Sequence, residues 1–358
     1  MVQIADLHCD TIIKVQAGAD PASDDPQVEV RLPALERGQV GLQVFACFVS
    51  SVLPEARAVA EAQVLLGLVD DLCRRYPDRL QRVETAAEVA AAWAAGRIAV
   101  VSAVENGHAI GGDLANLERL REAGARSMTL THTSHLSWAA SSAKPLEGVS
   151  GLTAFGENVV GAMNELGMII DVSHVHETTF RDVARLSRKP FIASHSCASA
   201  LCPIPRNISD DQIRAVADSG GMVGINFFPG FLDLPYWERL LESCGDLFSN
   251  HDRLELEKMD DPAGRIEGFR RFGEELKRRL AGVDVGLERV ADHVEHVVSL
   301  VGDEHAGFGS DFDGVPTLPR GISGSECFPD ILDALRRRGL GEQSIERIAS
   351  GNFLRILG

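Results

Sequence analysis

Residues 98–104 read IAVVSAV and run directly into Glu105. Near-continuous hydrophobicity over so short a stretch suits a strand buried on both faces, as in a parallel sheet covered by helices. Seven further runs share the pattern: 2–8 (VQIADLH), 41–49 (GLQVFACFV), 127–132 (SMTLTH), 167–173 (GMIIDVS), 190–195 (PFIASH), 221–228 (GMVGINFF) and 305–311 (HAGFGSD). Helix-like segments rich in Ala, Leu, Arg and Glu separate most of them. Ser209-Asp210-Asp211-Gln212 is a capping box that predicts a helix over 210–218, ended by Gly220-Gly221. Thr85 likewise opens the Ala-rich stretch through Ala95, which Gly96 closes. Eight strands alternating with helices predict an α/β fold, a (β/α)8 TIM-like barrel forming one domain over 1–358. A doubly wound sheet is the alternative. Residues 229–304 exceed one crossover helix and predict an excursion of helices and loop between the seventh and eighth strands, shaping the barrel mouth.

Composition narrows the class. The 358 residues are 45% hydrophobic and 24% charged, ordinary globular usage that excludes disorder, collagen-like repeats and a small disulfide-stapled domain. With 35 Lys+Arg against 52 Asp+Glu, the net charge of −17 offers no bulk attraction to nucleic acid or to an anionic membrane. A small-molecule partner is expected. Seven scattered cysteines form no C-x-x-C pair, which argues against a thiolate zinc knuckle and for a reducing compartment. The stretch Met1-Val2-Gln3-Ile4-Ala5-Asp6 has no basic region followed by an apolar core, and no apolar run approaches ~18 residues. The expectation is a cytoplasmic protein with no membrane partner.

The polar residues fall in a pattern. The first strand ends Asp6-Leu7-His8-Cys9-Asp10, where a period of two puts Asp6, His8 and Asp10 on one face, inward in a barrel. Glu105, His132, His174 and His195 end four more strands, and Gly309-Ser310-Asp311-Phe312-Asp313 ends the last. All are carboxyl ends, where barrel enzymes build active sites. Imidazoles and carboxylates are ligands for zinc, iron, cobalt, nickel and manganese, with no thiolate needed. The structural alternative, hydrogen-bonded polar core residues, leaves several buried ionisable groups at several kcal/mol each. Five ligands exceed what one catalytic zinc takes, so two divalent ions sharing a carboxylate are expected. Two such ions ~3.5–4 Å apart would acidify a bridging water to a pKa near ~7.

These motifs resemble the membrane (renal) dipeptidase family, binuclear zinc dipeptidases of the amidohydrolase-like barrel superfamily. The stretches that match are Asp6-Leu7-His8-Cys9-Asp10-Thr11, Val104-Glu105-Asn106-Gly107-His108, Thr129-Leu130-Thr131-His132 and Asp171-Val172-Ser173-His174. Ser194-His195-Ser196, Pro205-Arg206-Asn207 and Gly309-Ser310-Asp311-Phe312-Asp313-Gly314-Val315 complete the set, in family order from residue 6 to 315. The resemblance implies His8, Asp10 and Glu105 on one metal and Glu105, His174 and His195 on the other. His132 would contact the substrate carbonyl and stabilise the oxyanion, and Arg206 would grip the terminal carboxylate. Asp311 would exchange protons with the bridging water and the leaving amine. The implied reaction is hydrolysis of free dipeptides, L-Xaa-L-Xaa or L-Xaa-D-Xaa, and the family analogy adds a homodimer. Rival readings are a binuclear amidohydrolase acting on N-acyl amino acids, cyclic amides or lactams, and a non-catalytic metal-binding protein. The animal enzymes carry a secretion signal and a lipid anchor; neither pattern is read here, and the segment after the second strand (Ser50-Ser51-Val52-Leu53-Pro54) is short.

Other polar residues invite plainer readings. His293-Val294-Glu295-His296 mimics a metal motif but lies in a helical apolar pattern, so a structural role is expected. His108 is read as either a partner of the metal ligands or a loop hydrogen bonder, and His135 and His176 as non-ligands. Asp313 is expected to brace the loop after Asp311, Asp6 to orient a ligand histidine, and Cys9 to pack.

Overall fold

β1 (Ile4–Cys9) lies between β2 (Val40–Phe48) and β8 (Ala306–Phe308), parallel to both. β2 pairs with β4 (Ile98–Glu105), β4 with β5 (Ala125–Thr129) and β5 with β6 (Ile169–Asp171), while β7 (Val223–Ile225) pairs with β8, all in parallel. Bridges Asp171↔Ile192 and Ala193↔Val223 span the remaining gap between β6 and β7. The ring is the expected TIM-like barrel. The computed structural model describes residues 2–146, 148, 150–258 and 260–358, and over 248–256 the backbone alone.

Two strand expectations need correction. The run 190–195 contributes only two bridged residues, because Pro190 has no N–H to donate and the Ser194 N–H is diverted to the Asp171 carboxylate. An unforeseen strand, β3 (Leu80–Arg82), pairs with Ile98–Val100 at the start of β4, ahead of β5's pairing with Ser102–Glu105. At three residues, two of them polar, it carries no apolar run to find.

The helices follow their local signals. Glu55–Arg75 buries Ala58, Ala62, Leu65, Leu66, Val69 and Leu72, one stripe at helical spacing. Both capping boxes form: Ser209 accepts from the Gln212 N–H while Gln212 accepts from the Ser209 N–H, and Thr85 and Glu88 do the same. The excursion after β7 comprises Pro229–Leu232, Leu234–Glu257 and Pro262–Arg279, before the crossover helix Glu288–Val301 returns to β8. It leans across the barrel end. Arg265 bonds Gln16 and Glu61, and Arg57 pairs with Asp260 at 2.6 Å. No described helix is long and apolar enough to cross a membrane.

The first strand breaks the period-two expectation. Ala5 and Leu7 pack in one cluster with Ala99, Val101 and Ala103, the residues alternating down β4 from Glu105. Asp6 therefore faces the other way, where Gln43 and Ser310 bond it. His8 nevertheless reaches Glu105, because the β1–β2 register shifts between Asp6 and Cys9. Such an irregularity re-aims a side chain at the strand end. Asp6 thus holds the β8 exit through Ser310, which also donates to the His8 carbonyl. Among the described residues the side-chain bonds of Asp6 go to Gln43 and Ser310 rather than to a histidine ring, whereas Cys9 packs as expected.

His293 and His296 have structural roles. His293 is fully buried, accepting from the Ala198 N–H at Nδ1 and donating from Nε2 to the Leu232 carbonyl, while His296 bonds Asp210. Burial pushes the His293 pKa down from 6.5 to about 4. The unfolded chain therefore binds the extra proton first, so this group's stabilisation is intact above its ordinary pKa and drains away as pH falls toward 4. The loss approaches about 3 kcal/mol. His293→Gln keeps a donor and an acceptor without titrating. Urea unfolding between pH 7 and 4 should show a shallower acid limb in that variant, by about one proton.

Candidate active site

The sequence-predicted site residues converge at the carboxyl ends of the barrel strands. His8 lies in β1, and Asp10 follows as the residue before the helix Thr11–Gln16. Glu105 ends β4, His132 follows β5, His174 follows β6, His195 follows the bridged pair and Asp311 follows β8. Arg206 stands on the loop that leads to the helix Asp210–Asp218.

Glu105 is the hub. Its Oε2 faces His8 Nε2 at 3.5 Å, and its Oε1 faces Nε2 of His174, His195 and His132 at 3.3, 3.4 and 3.7 Å. Each oxygen of one buried carboxylate thus addresses a different side of the cluster. Asp10 Oδ2 and Asp311 Oδ1 complete the Oε2 side, at 3.6 and 3.8 Å from His8 Nε2. The imidazoles crowd together, with the His8 and His195 rings stacked at 3.7 Å and the His174 and His195 Nε2 atoms 2.8 Å apart. Among the described residues, three overlapping groups of metal-capable atoms result: His8/Glu105/His195, Glu105/His132/His174 and His8/Asp10/Asp311.

The electrostatics demand positive charge at this spot. Burial would push Glu105 up, but the charges of His8 and His132 and a hydrogen bond from His174 hold it well below the usual carboxylate range. Burial, then the neighbouring Glu105 charge, drives Asp10 the other way. Burial lowers His174 and His195, helped by Arg206 and His8 respectively, so both are neutral imidazoles near pH 7. His8 is buried too, yet Glu105 and Asp10 outweigh that and raise it. Two carboxylates around one imidazole draw a cation, be it a proton or a metal ion.

The residues fit divalent metal. Buried polar atoms almost always find partners, yet His8 Nε2 and Asp10 Oδ1 have no hydrogen-bond partner among the described residues. Both point into an all nitrogen-and-oxygen donor set, which suits zinc and its first-row neighbours.

A family model described as membrane dipeptidase (peptidase family M19) matches residues 1–358. The chain belongs to this family. Its members are metallo-dipeptidases, hydrolases acting on peptide bonds. Dipeptidase aclJ of Aspergillus oryzae is 30% identical over 343 residues, 94% of this chain and 71% of that protein. Dipeptidase 3 of Rattus norvegicus is 30% identical over 332 residues, 92% of this chain but 58% of the rat protein, so the chain spans less than two thirds of that relative. Among solved structures, a metallopeptidase from Rhodobacter sphaeroides liganded with a phosphinate mimic of the dipeptide L-Ala-D-Ala superposes with a TM-score of 0.81. It is 25% identical, over 99% of this chain and 98% of that one.

In this family member Arg206 is held in place. One N–H from each terminal nitrogen is spoken for, by Ser196 Oγ at 2.8 Å and the His195 carbonyl at 2.7 Å, and the guanidinium lies 5.3 Å from the Phe231 ring centroid. Each terminal nitrogen carries a second hydrogen, so the fork still presents donors. Asp311 is fixed by the Asn226 amide, which donates to Oδ2 at 2.8 Å. Asp313 braces the same loop as expected, accepting from Thr11, Lys14 and the Glu29 and Val30 N–H groups. His108 makes the loop bond, to the Leu53 carbonyl; His135 bonds Pro145 and Ser141, and His176 caps Glu177–Leu186.

Sequence reading missed Asn226, which holds Asp311, and also Asp171 and Ser194, which bond each other behind His195. Asp171 and Ser194 lie within the quoted motifs, three residues and one residue respectively from a ligand-type histidine, and that adjacency was the available signal. Asn226 offered only a polar side chain in an apolar run. Gly314 was missed as well: a Cβ there would sit 2.0 Å from Asp10 Oδ2 and 2.6 Å from Asp311 Oδ1. Gly314→Ala must therefore spread the two carboxylates. Displacements of this size cost roughly 100-fold in turnover. The variant should fold with a near-normal melting temperature yet lose about that much kcat/KM and bind divalent metal more weakly by calorimetry.

Proposed function

We propose that this chain is a metal-dependent dipeptidase that hydrolyses the single peptide bond of free dipeptides, L-Xaa-L-Xaa, L-Xaa-D-Xaa or both. The observation that carries the reading is the buried Glu105 carboxylate, whose two oxygens address separate nitrogen and oxygen donor sets beside a held arginine fork. His8, Asp10 and Glu105 would hold one divalent cation, and Glu105, His174 and His195 a second, zinc being the best match to the donors. Such a pair supplies Lewis acidity for the scissile carbonyl and lowers the pKa of water to near neutrality.

The chain's own residues do the rest. Arg206 binds the substrate's terminal carboxylate through its remaining N–H donors. His132 donates to the oxygen that gathers charge as the carbonyl becomes tetrahedral. Asp311, held at Oδ2 by Asn226, keeps Oδ1 toward the centre, where it takes a proton from the nucleophilic water and returns it to the leaving amine. The substrate's free ammonium would find carboxylates on the Asp10/Asp311 side. The phosphinate dipeptide mimic bound by the Rhodobacter sphaeroides relative supports an L,D substrate among the candidates. Seven unpaired cysteines support a reducing, cytoplasmic setting.

A panel of L,L and L,D dipeptides, beside N-acetylated and C-amidated versions, tests the assignment on zinc-loaded protein. Free dipeptides should be cleaved and C-amidated ones should not. Cleavage of only the N-acetylated compounds would replace the dipeptidase with an N-acyl amino acid hydrolase. Arg206→Ala should lose about 2–5 kcal/mol of transition-state binding, roughly 30- to several-thousand-fold in kcat/KM, with zinc content intact. Amidating the substrate should then cost that variant little more, because the carboxylate's partner is already gone. Near-wild-type kinetics in Arg206→Ala would sink its assignment.

A further inference from the structure

We propose that Asp171, acting through Ser194, fixes the tautomer of His195 and so decides which imidazole nitrogen faces the centre. Asp171 Oδ1 accepts the Ser173 and Ser194 N–H groups, each at 2.9 Å. Its Oδ2 accepts the Ser194 hydroxyl at 2.5 Å and the Thr129 hydroxyl at 2.6 Å. A carboxylate taking four donors has no proton to give, so the hydrogen between it and Ser194 belongs to the serine.

The consequence runs outward. With its hydrogen committed to Asp171, the Ser194 oxygen turns a lone pair to His195 Nδ1, 2.7 Å away. That contact needs a proton on Nδ1. A neutral imidazole has only one N–H, so Nε2 carries the lone pair. This is the nitrogen 3.4 Å from Glu105 Oε1 and 2.8 Å from His174 Nε2. Two ring nitrogens that close cannot both be protonated, and the relay puts the lone pair on His195. Its backbone N–H donates to Ser173 Oγ, and its carbonyl accepts from Arg206, so the ring is held from both sides. Asp171 and Ser194 are positioning residues, since they act through His195.

The tautomer inference stands on this geometry alone; its consequence for metal affinity rests on the reading under Proposed function. Histidine-labelled, metal-free protein is compared by two-bond 1H–15N correlation, with the His195 signals assigned by their loss in His195→Asn. Wild type should show the Nδ1–H form. Asp171→Asn lets an amide N–H face Ser194, freeing the hydroxyl to donate to Nδ1, and should move His195 to Nε2–H; Ser194→Ala should abolish the Nδ1–H preference. In chelator competition with zinc, both variants should weaken one of two equivalents by about 10- to 100-fold and leave the other within a few-fold. Ser194→Thr, which keeps the hydroxyl, should restore both. Retention of Nδ1–H in both variants overturns the relay, as does equal weakening of both equivalents, the mark of general loosening. Should Asp171→Asn fail to fold, Ser194→Ala decides the matter. If wild type binds no zinc, the metallodipeptidase reading fails, while the tautomer signals still decide the relay.

Discussion

A carboxylate buried at the end of a barrel strand must be compensated, and the active site is organised around that requirement. Glu105 is almost wholly enclosed, so its charge is tolerable only with positive or hydrogen-bonding groups on both oxygens. Four histidines meet it, each delivered by a different strand end. The barrel makes this possible because parallel strands finish at one rim. Residues 8 and 195, far apart in sequence, end with stacked rings.

Holding that cluster takes a second ring of buried acids. Asp6 joins β1 to the β8 exit through Ser310 and takes an amide from Gln43 on β2. Asp171 links β5, β6 and the Ser194 turn with four accepted bonds. Asp313 fastens the loop after β8 to Thr11, Lys14 and the Glu29–Val30 backbone. Each accepts from elements that would otherwise be free to drift. Backbone strain is concentrated in the same place. Asn106, His174, Asp311 and Asp313 all have positive φ, a conformation non-glycine residues hold only where surrounding bonds insist on it. The rim is thus rigid by hydrogen bonding where the chemistry needs fixed positions.

Much of this was legible before any coordinates. Apolar runs such as IAVVSAV and GLQVFACFV imply strands covered on both faces, and the Ser209 and Thr85 boxes mark helix starts to the residue. The ligand-type residues stood out because apolar strands do not end in His, Asp and Glu by habit. Three-residue β3 was illegible, since so few residues show no periodicity. The run 190–195, by contrast, was read as a strand and only its extent was overestimated, because a proline and a diverted N–H do not interrupt an apolar run. The face of Asp6 was misread for a related reason: the irregularity in β1 comes from pairing with β2, and pairing is not written in one strand.

Residue chemistry and order along the chain therefore determined the fold class, the donor set and the end of the barrel where it gathers. Local signals suffice for these, because burial, capping and ligand type are properties of single segments. Tertiary structure alone decided which oxygen of Glu105 meets which histidine, that Asn226 holds Asp311, that Gly314 must lack a Cβ, and that Asp171 stands behind His195. Each of those depends on distances of a few ångströms between segments that are remote in sequence, and such distances exist only once the ring has closed.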